Sequence, residues 1–215
     1  MKKQIGLIGV IIIIVIIGKY VLSIPYQLTE KQEKMIQEIN KGLLIKDFYT
    51  LLQEDSDPAI SYQDIRLKQF DNFNCSEKDN QYICTKENTS ITIEKTKSYL
   101  DLAKEEKLEV KGLRNDIDLF GKIKDSSNSN LLFRSLSNQK KDKQFQLFAI
   151  KHLPVIHSLD LISGDIEGYI THPSSEERII YLTQKEKTYK ITLKDLSFFK
   201  KSTIQELLNT IKIKD

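Results

Sequence analysis

The sequence predicts an α+β protein: an N-terminal transmembrane helix, an amphipathic helix, a mainly antiparallel, meander-like β-sheet, and a C-terminal helix packed on that sheet. Three observations predict this order. The chain opens with an apolar run, a segment with apolar residues three and four apart follows, and short stretches of alternating apolar and polar residues occupy much of the remainder. Alternation at period two marks strands with one buried face, and links too short for a crossover helix favour antiparallel pairing.

The apolar run predicts a membrane anchor. Aliphatic residues and glycine fill Ile5–Gly18 without a break, and apolar residues continue beyond Lys19 as far as residue 24. The stretch approaches the roughly 20 residues that cross a bilayer core. Two lysines precede it, so the positive-inside rule places the N-terminus in the cytoplasm. We expect residues 1–26 to be a retained signal-anchor with short flanks, and a cleaved signal peptide is the alternative.

The topology predicts where the rest of the chain lies. Residues 27–215 should form an α+β domain on the periplasmic or extracellular side of an inner or plasma membrane. Lys2, Lys3 and Lys19 account for the net charge of +3, so this domain is formally neutral. A nucleic-acid-binding protein needs a surplus or a face of positive charge. We therefore expect the membrane and an envelope component as partners, and no nucleic acid.

The two cysteines predict a disulfide. Cys75 and Cys84 are the only cysteines, and Asp79-Asn80 lies between them. Asp and Asn tolerate the left-handed backbone of a tight hairpin turn, and an exported chain with two cysteines usually pairs them. We expect a bridge across a hairpin, with Cα atoms about 4.4–6.8 Å apart. A redox-active pair is the alternative, but the spacing is not Cys-x-x-Cys.

Two capping boxes predict the starts of helices. Thr29 with Gln32 opens a helix over residues 29–53, and Ser202 with Gln205 opens the C-terminal helix. Each segment then carries one apolar stripe. The first stripe consists of Met35, Ile36, Ile39, Leu43, Leu44, Phe48, Leu51 and Leu52, and the second of Ile204, Leu207, Leu208 and Ile211.

Alternating segments predict the strands. They are Ile65–Leu67, Ile91–Ile93, Leu108–Val110, Ile117–Leu119, Leu159–Leu161 and Tyr189–Leu193. A short pattern, apolar-x-apolar-Lys-x-apolar, recurs at residues 65–70, 108–113 and 191–196, and residues 145–150 match it without the lysine. This is either a duplicated strand unit or a chance similarity of short strands. The Ser-, Asn- and Lys-rich segment 124–143 predicts a loop and a possible internal boundary.

Candidate sites for chemistry are sparse. His152, His157 and His172 have no spacing that suits a shared metal, and Asp160 and Asp165 would join them only through the tertiary fold. No nucleophile elbow, Walker loop, zinc-protease motif or dinucleotide fingerprint is present in the sequence. We expect no catalytic residue, cofactor or metal, and no enzyme activity.

Two acidic segments predict local secondary structure and no binding site. Residues 164–168 predict a turn and the start of a strand, because their two acids are too few for a calcium loop. Asp116 and Asp118 should lie on the wet face of a strand.

These observations favour a membrane-anchored binding or structural protein that interacts with another protein or envelope component. The alternative is binding of a lipid or small hydrophobic ligand by the apolar face of the sheet. The strand segments that end in Lys and an apolar residue, such as residues 65–70, resemble those of bacterial AsmA-like envelope proteins. That resemblance, which covers a few hexapeptides, implies lipid handling.

Overall fold

The computed structural model describes residues 12–18, 27–51, 60–68, 70, 72–127, 135–153, 158–164 and 166–214. The chain divides into two compact units, residues 1–40 with 102–154 and residues 41–101 with 155–215. The predicted α+β class is confirmed, because the described residues form helices and a large, mainly antiparallel sheet. The helices are α1 (12–18), α2 (Glu30–Gly42), α3 (Tyr99–Glu105), α4 (Asp116–Ser127), α5 (Leu136–His152) and α6 (Lys201–Asn209).

The first unit is helical. α2 begins at the predicted capping box, where Thr29 Oγ1 accepts from the N–H of Gln32 at 3.3 Å and Gln32 Oε1 accepts from the N–H of Thr29 at 3.0 Å. Its apolar stripe buries Ile36 and Ile39. The side-chain amide of Asn40 links α2 to α4 by donating to Ser127 Oγ at 2.8 Å. The helical segments of this unit are therefore tied by both apolar burial and polar side chains.

The expected membrane anchor is described only at residues 12–18. These residues are helical, and the isoleucines and valine among them are exposed. Within the described ranges, no helix combines the length and the apolar character needed to cross a membrane. The rest of the expected anchor lies outside those ranges.

The second unit is built on strands. The strands are β1 (Ile45–Thr50), β2 (Ile60–Tyr62), β3 (Ile65–Leu67), β4 (Asn74–Lys78), β5 (Gln81–Lys86), β6 (Thr89–Thr96), β7 (Leu159–Ser163), β8 (Glu167–Thr171), β9 (Glu177–Gln184), β10 (Lys187–Lys194) and β11 (Lys212–Ile213). Eight of them form one sheet in the order β1-β7-β8-β9-β10-β6-β5-β4, and β11-β3-β2 form a second sheet. All pairs are antiparallel except β1 with β7, which is parallel.

One face of the large sheet is buried. Side chains from both sheets and from α6 form a single buried cluster, with Tyr189 and Ile191 of β10 completely inaccessible to solvent. The predicted stripe of α6 contributes to this cluster through Ile204, Leu207 and Leu208. The prediction that the C-terminal helix packs on the sheet is therefore confirmed. Burial at this density excludes solvent and stabilises the unit.

The prediction of one helix over residues 29–53 is wrong in its second half. α2 ends at Gly42, and β1 begins at Ile45. Glycine weakens the interior of a helix, and the segment that follows it, Ile-Lys-Asp-Phe-Tyr-Thr, is rich in the β-branched and aromatic residues that favour strands. Gly42 is therefore the end of the helix.

Two predicted strands are also wrong. Residues 108–110 lie in the connection between α3 and α4, and Ile117–Leu119 belongs to α4. Asn115 starts α4, because its Oδ1 accepts from the N–H of Asp118 at 3.0 Å. Asp116 and Asp118 thus lie in the first turn of a helix, where a carboxylate interacts favourably with the helix dipole. Three alternating residues are too few to separate a strand from a helix.

The structure favours chance similarity as the explanation of the recurring pattern, and both described ends of the predicted loop are helical. The repeat segments fall on β3, on the α3–α4 connection, on β10 and in α5, so they share no structural unit. Within the segment 124–143, α4 continues to Ser127 and α5 begins at Leu136, where Ser135 Oγ caps the N–H of Asn138. Residues 128–134 lie outside the described ranges.

The second predicted capping box is absent. The N-cap of α6 is Lys200, two residues before the predicted cap Ser202, and its side chain makes no cap hydrogen bond. Gln205 instead donates to the backbone oxygen of Thr50 at 2.7 Å and to Asn209 Oδ1 at 2.8 Å. A tertiary contact with the end of β1 therefore replaces the local contact that the pattern suggested.

The predicted disulfide is confirmed. Cys75 of β4 pairs directly with Cys84 of β5, and the two are bridged. The turn at Asp79 and Asn80 has positive φ at both residues, 53° and 60°, as a type I′ hairpin requires. The Cα atoms are 4.0 Å apart, slightly closer than expected. Cys84 is completely buried in the core cluster, so the bridge is a structural link between the edge strand β4 and the core.

We expect the double substitution Cys75→Ala and Cys84→Ala to lower the free energy of unfolding by about 2–3 kcal/mol, because the unfolded chain regains the freedom that the bridge removes. Thermal unfolding followed by circular dichroism, with the full chain in mild detergent, measures the change. Thiol titration of the unreduced wild-type protein from intact cells should find no free thiol. Two reactive thiols in that sample would contradict the bridge.

We expect Gly168→Ala to destabilise the second unit by at least about 2 kcal/mol, since overpacking at a rigid site is costly. A Cβ at residue 168 would lie 2.2 Å from the backbone oxygen of Tyr181 on the neighbouring strand. Gly121→Ala is the control, because no atom lies within 4 Å of its added Cβ and alanine favours a helix. Equal melting temperatures for the two variants would rule out the close approach.

Candidate functional site

His152 lies at the end of α5 in the first unit. Its Nε2 is 2.7 Å from Glu106 Oε1, and Lys151 Nζ approaches the same oxygen at 2.5 Å. The hydrogen bond from Lys151 is the main cause that lowers the pKa of Glu106, and the one with His152 adds to it. The cluster is at the helix end, where positive side chains interact favourably with the helix dipole. The contact with Glu106 explains the position of His152 without a bound ligand.

Asp160 and His172 are brought together by the pairing of β7 with β8. Asp160 lies opposite Ile170, and His172 follows two residues later on the same face. His172 Nε2 is 2.6 Å from Asp160 Oδ2, with the aspartate side chain 5% exposed and the histidine 22% exposed. Of the residues that the sequence singled out for chemistry, these two form a pair. His157 and Asp165 lie outside the described ranges.

Arg178 of β9 and Tyr49 of β1 complete this buried polar cluster. Burial lowers the pKa of Arg178, and the charge of Asp160 opposes that shift. Burial raises the pKa of Tyr49, and the charge of Asp160 raises it further. An isolated buried carboxylate is very unfavourable unless it is paired. Arg178 therefore compensates the charge of Asp160 at this end of the core, and His172 lies within hydrogen-bond distance of the same carboxylate.

Arg178 also holds the neighbouring loop. Its Nη1 donates to the backbone oxygens of Ser174 at 3.1 Å and Glu177 at 3.0 Å. Ser174 Oγ in turn accepts from the N–H of Glu176 at 3.2 Å. The connection between β8 and β9 is thereby fixed from the core side by a guanidinium group, whose planar set of donors suits several oxygen acceptors at once.

The fixed loop forms one wall of an open cavity of about 610 Å³, which we call the loop-end bowl. The β5–β6 turn, the β8–β9 loop and the β10–α6 loop meet there. The lining residues are Asn88, Ser174, Ser175, Glu176, Glu177, Lys194, Asp195, Leu196 and Ser197. Most residues of the lining are therefore polar, and Leu196 is the one with an aliphatic side chain.

Asp195 joins the walls of the bowl. Its Oδ2 accepts from Thr89 Oγ1 at 2.7 Å, its Oδ1 accepts from the N–H of Ser197 at 3.1 Å, and its own N–H donates to the oxygen of Glu176 at 3.2 Å. The hydrogen bond from the Ser197 hydroxyl is the main cause that lowers the pKa of Asp195, and the one from Thr89 follows. The carboxylate is thus ionised and already bonded at neutral pH, which pre-organises the three loops.

The charge of the lining determines which groups it could bind. Three carboxylates and one lysine give the bowl a negative balance, and serine and asparagine add neutral donors and acceptors. Ammonium, guanidinium and hydroxyl groups complement such a surface. The lining offers neither imidazole nor thiol, and no described group of three His, Cys, Asp or Glu side chains could hold a metal ion. The arrangement suits recognition of a polar partner.

Sequence reasoning missed the residues that build the bowl. Thr89, Arg178 and Asp195 are far apart in the chain, and they meet only because β10 pairs with β6 and β9. The Ser174-Ser175 pair marks a loop by composition, but nothing local identifies its partners. The strand start predicted within residues 164–168 is confirmed, since β8 begins at Glu167.

Comparison with known proteins gives no family assignment. No protein-family model matches the chain, and neither the curated proteins nor the solved structures contain a significant match. The class that the fold and the site define is thus an α+β protein with a polar surface cavity at the end of its main sheet.

We expect Thr89→Val to lower the melting temperature at pH 7, because it removes a hydrogen bond to the ionised Asp195. The pKa of Asp195 is lowered in the folded protein, so its stabilisation is present above the unfolded pKa and is lost as the pH falls through the folded value. The difference between variant and wild type should therefore shrink below about pH 4. Melting curves between pH 7 and pH 3 measure it, with Thr85→Val on the exposed side of β5 as the control. A difference that does not change with pH would exclude this role of Asp195.

Proposed function

We propose that this chain is a single-pass, membrane-anchored binding protein whose extracytoplasmic domain recognises another protein or envelope component at the loop-end bowl. The bowl is the observation that carries the proposal. Its three loops are held in place by Asp195 and Arg178, so a partner meets a surface that needs little ordering. The partner presents basic and hydroxyl groups to the carboxylates of the lining.

The location rests on the sequence and on the disulfide. The uninterrupted apolar run after two N-terminal lysines supports a signal-anchor with the C-terminal part exported. The bridge between Cys75 and Cys84 supports an oxidising compartment, because disulfides persist outside the reducing cytosol. Both features favour the same side of the membrane for the second unit.

The packing favours recognition at the surface over enclosure of a lipid. The apolar face of the large sheet is covered by the smaller sheet and α6, and its side chains form a continuous buried cluster. A lipid-binding protein of the expected kind would keep space between that face and the helix. The polar lining of the bowl suits an ammonium or hydroxyl group better than an acyl chain.

We expect a photo-crosslinking amino acid at Ser175 to capture a defined partner in intact cells, because Ser175 lines the bowl. Glu177→Lys should reduce that product by about tenfold, since reversing one charge in a complementary contact costs on the order of 1.4 kcal/mol or more. Gel analysis of membrane fractions measures the yield.

Glu186→Lys is the matched control. It makes the same charge change in the turn between β9 and β10, at the other end of the hairpin that Glu177 begins. Its yield should equal that of the wild type. If the Ser175 probe gives no product, or if both lysine variants lower the yield equally, the bowl is not the binding surface. Recovery of the chain in the soluble fraction after cell lysis would contradict the anchor.

A further inference from the structure

Exposed apolar side chains are concentrated at the start of β1. Leu44, Ile45 and Phe48 are 48%, 44% and 68% exposed, and we call them the β1 patch. Most large apolar residues of this unit are buried, and three exposed ones within five positions of the chain form a local cluster. A cluster of exposed apolar side chains marks an interaction surface more strongly than single exposed residues do.

An irregularity in the strand places Ile45 and Phe48 on one face. The register of β1 against β7 shifts between Ile45 and Asp47, so that Ile45 lies opposite Leu159 and Phe48 lies opposite Leu161. Leu159 and Leu161 are alternate residues of β7 and share a face. In a regular strand, residues three apart point to opposite faces. The bulge therefore joins two apolar side chains into one surface.

β1 is an edge strand of the large sheet, and its outer edge is poorly suited to pairing with another strand. A bulge interrupts the regular spacing of backbone donors and acceptors that strand addition needs. Gln205 also occupies the backbone oxygen of Thr50 at the end of β1. A partner that covers the β1 patch must therefore contact its side chains, because it cannot add a regular strand to β1.

The charges around the patch are mostly positive. Lys41 precedes it in the sequence, Lys46 lies between Ile45 and Phe48, and the one acid of the strand, Asp47, is bound by Lys201 Nζ at 3.0 Å. Lys201 also lies over the ring of Tyr49, 5.5 Å from its centroid. Apolar side chains with lysines beside them in the chain are the chemistry that anionic membrane surfaces attract.

The length of chain before the patch keeps it close to a bilayer. The apolar run ends at residue 24, and α2 is 13 residues long, a rise of about 20 Å at 1.5 Å per residue. The few residues on either side of α2 can add at most about 3.5 Å each. A short tether of this kind raises the local concentration of lipid around the patch. A weak contact is then sufficient, because the proposed anchor already holds the chain at the membrane.

We propose that the β1 patch contacts the surface of the membrane in which the chain is anchored. Phe48, Leu44 and Ile45 enter the interfacial region, and Lys41 and Lys46 meet anionic headgroups. This inference rests on the proposed anchor. It adds a second attachment, which restricts the orientation of the second unit relative to the bilayer.

The absence of tryptophan from the chain permits a direct test with a single reporter. The full chain carrying Phe48→Trp is placed in nanodiscs of phosphatidylcholine and phosphatidylglycerol, about 7:3, with and without brominated acyl chains. We expect the brominated lipid to quench this tryptophan at least about twofold more than a tryptophan at Ser76, an exposed position on β4. Lys46→Glu should reduce the quenching.

The outcomes separate the anchor from the patch. If the chain does not co-elute with the discs, the proposed anchor fails. If it co-elutes and the tryptophan at position 48 is quenched by acrylamide but not by brominated lipid, the patch faces water and the inference is overturned. A tryptophan shielded from both quenchers would mean that another protein, or a second copy of this chain, covers the patch, and this too would overturn it.

Discussion

The pairing of β10 with β6 is the interaction on which the rest of the second unit depends. β4–β6 and β7–β10 are two separate meanders, and the β10–β6 ladder from Lys194–Ser90 to Thr188–Thr96 joins them into one sheet. Closing so long a segment of chain is entropically unfavourable. The buried isoleucines at its centre, Ile191 and Ile93, offset that cost by leaving water completely. The same register brings Thr89 next to Asp195, so the loop-end bowl exists only because this ladder forms.

The sequence predicted the features that local chemistry determines. The turn at Asp79-Asn80, the capping box at Thr29 and the alternating segments of β6 and β10 each depend on neighbouring residues. Predictions failed where tertiary contacts decide the outcome. Residues 45–50 continue an apolar helical pattern, yet they form β1 because β7 offers them a ladder. Likewise Gln205 bonds the end of β1 instead of capping α6.

The candidate site was harder to predict than the fold. The Asp160–His172 pair requires the register of β7 against β8, which sequence spacing does not contain. Arg178 shows what a half-buried charge can indicate once the structure is known. It compensates Asp160 on one side and fixes the loop at Ser174 and Glu177 on the other. Arg178 therefore links the packing of the core to the shape of the surface loop, because a change at Asp160 would also shift the loop.

The parallel pairing of β1 with β7 has a consequence for the order of folding. β1 is made early, but its hydrogen-bonding partner is made only after β2–β6 and α3–α5. Until then Phe48 and Tyr49 lie on a strand without its ladder, while β4–β6 can already form hairpins from local contacts. The nascent chain therefore carries an unpaired, aromatic segment during synthesis, which is the state in which chains aggregate or bind chaperones. Completion of β7 ends that interval, so the first strand of the sheet to be made waits longest for its hydrogen-bonding partner.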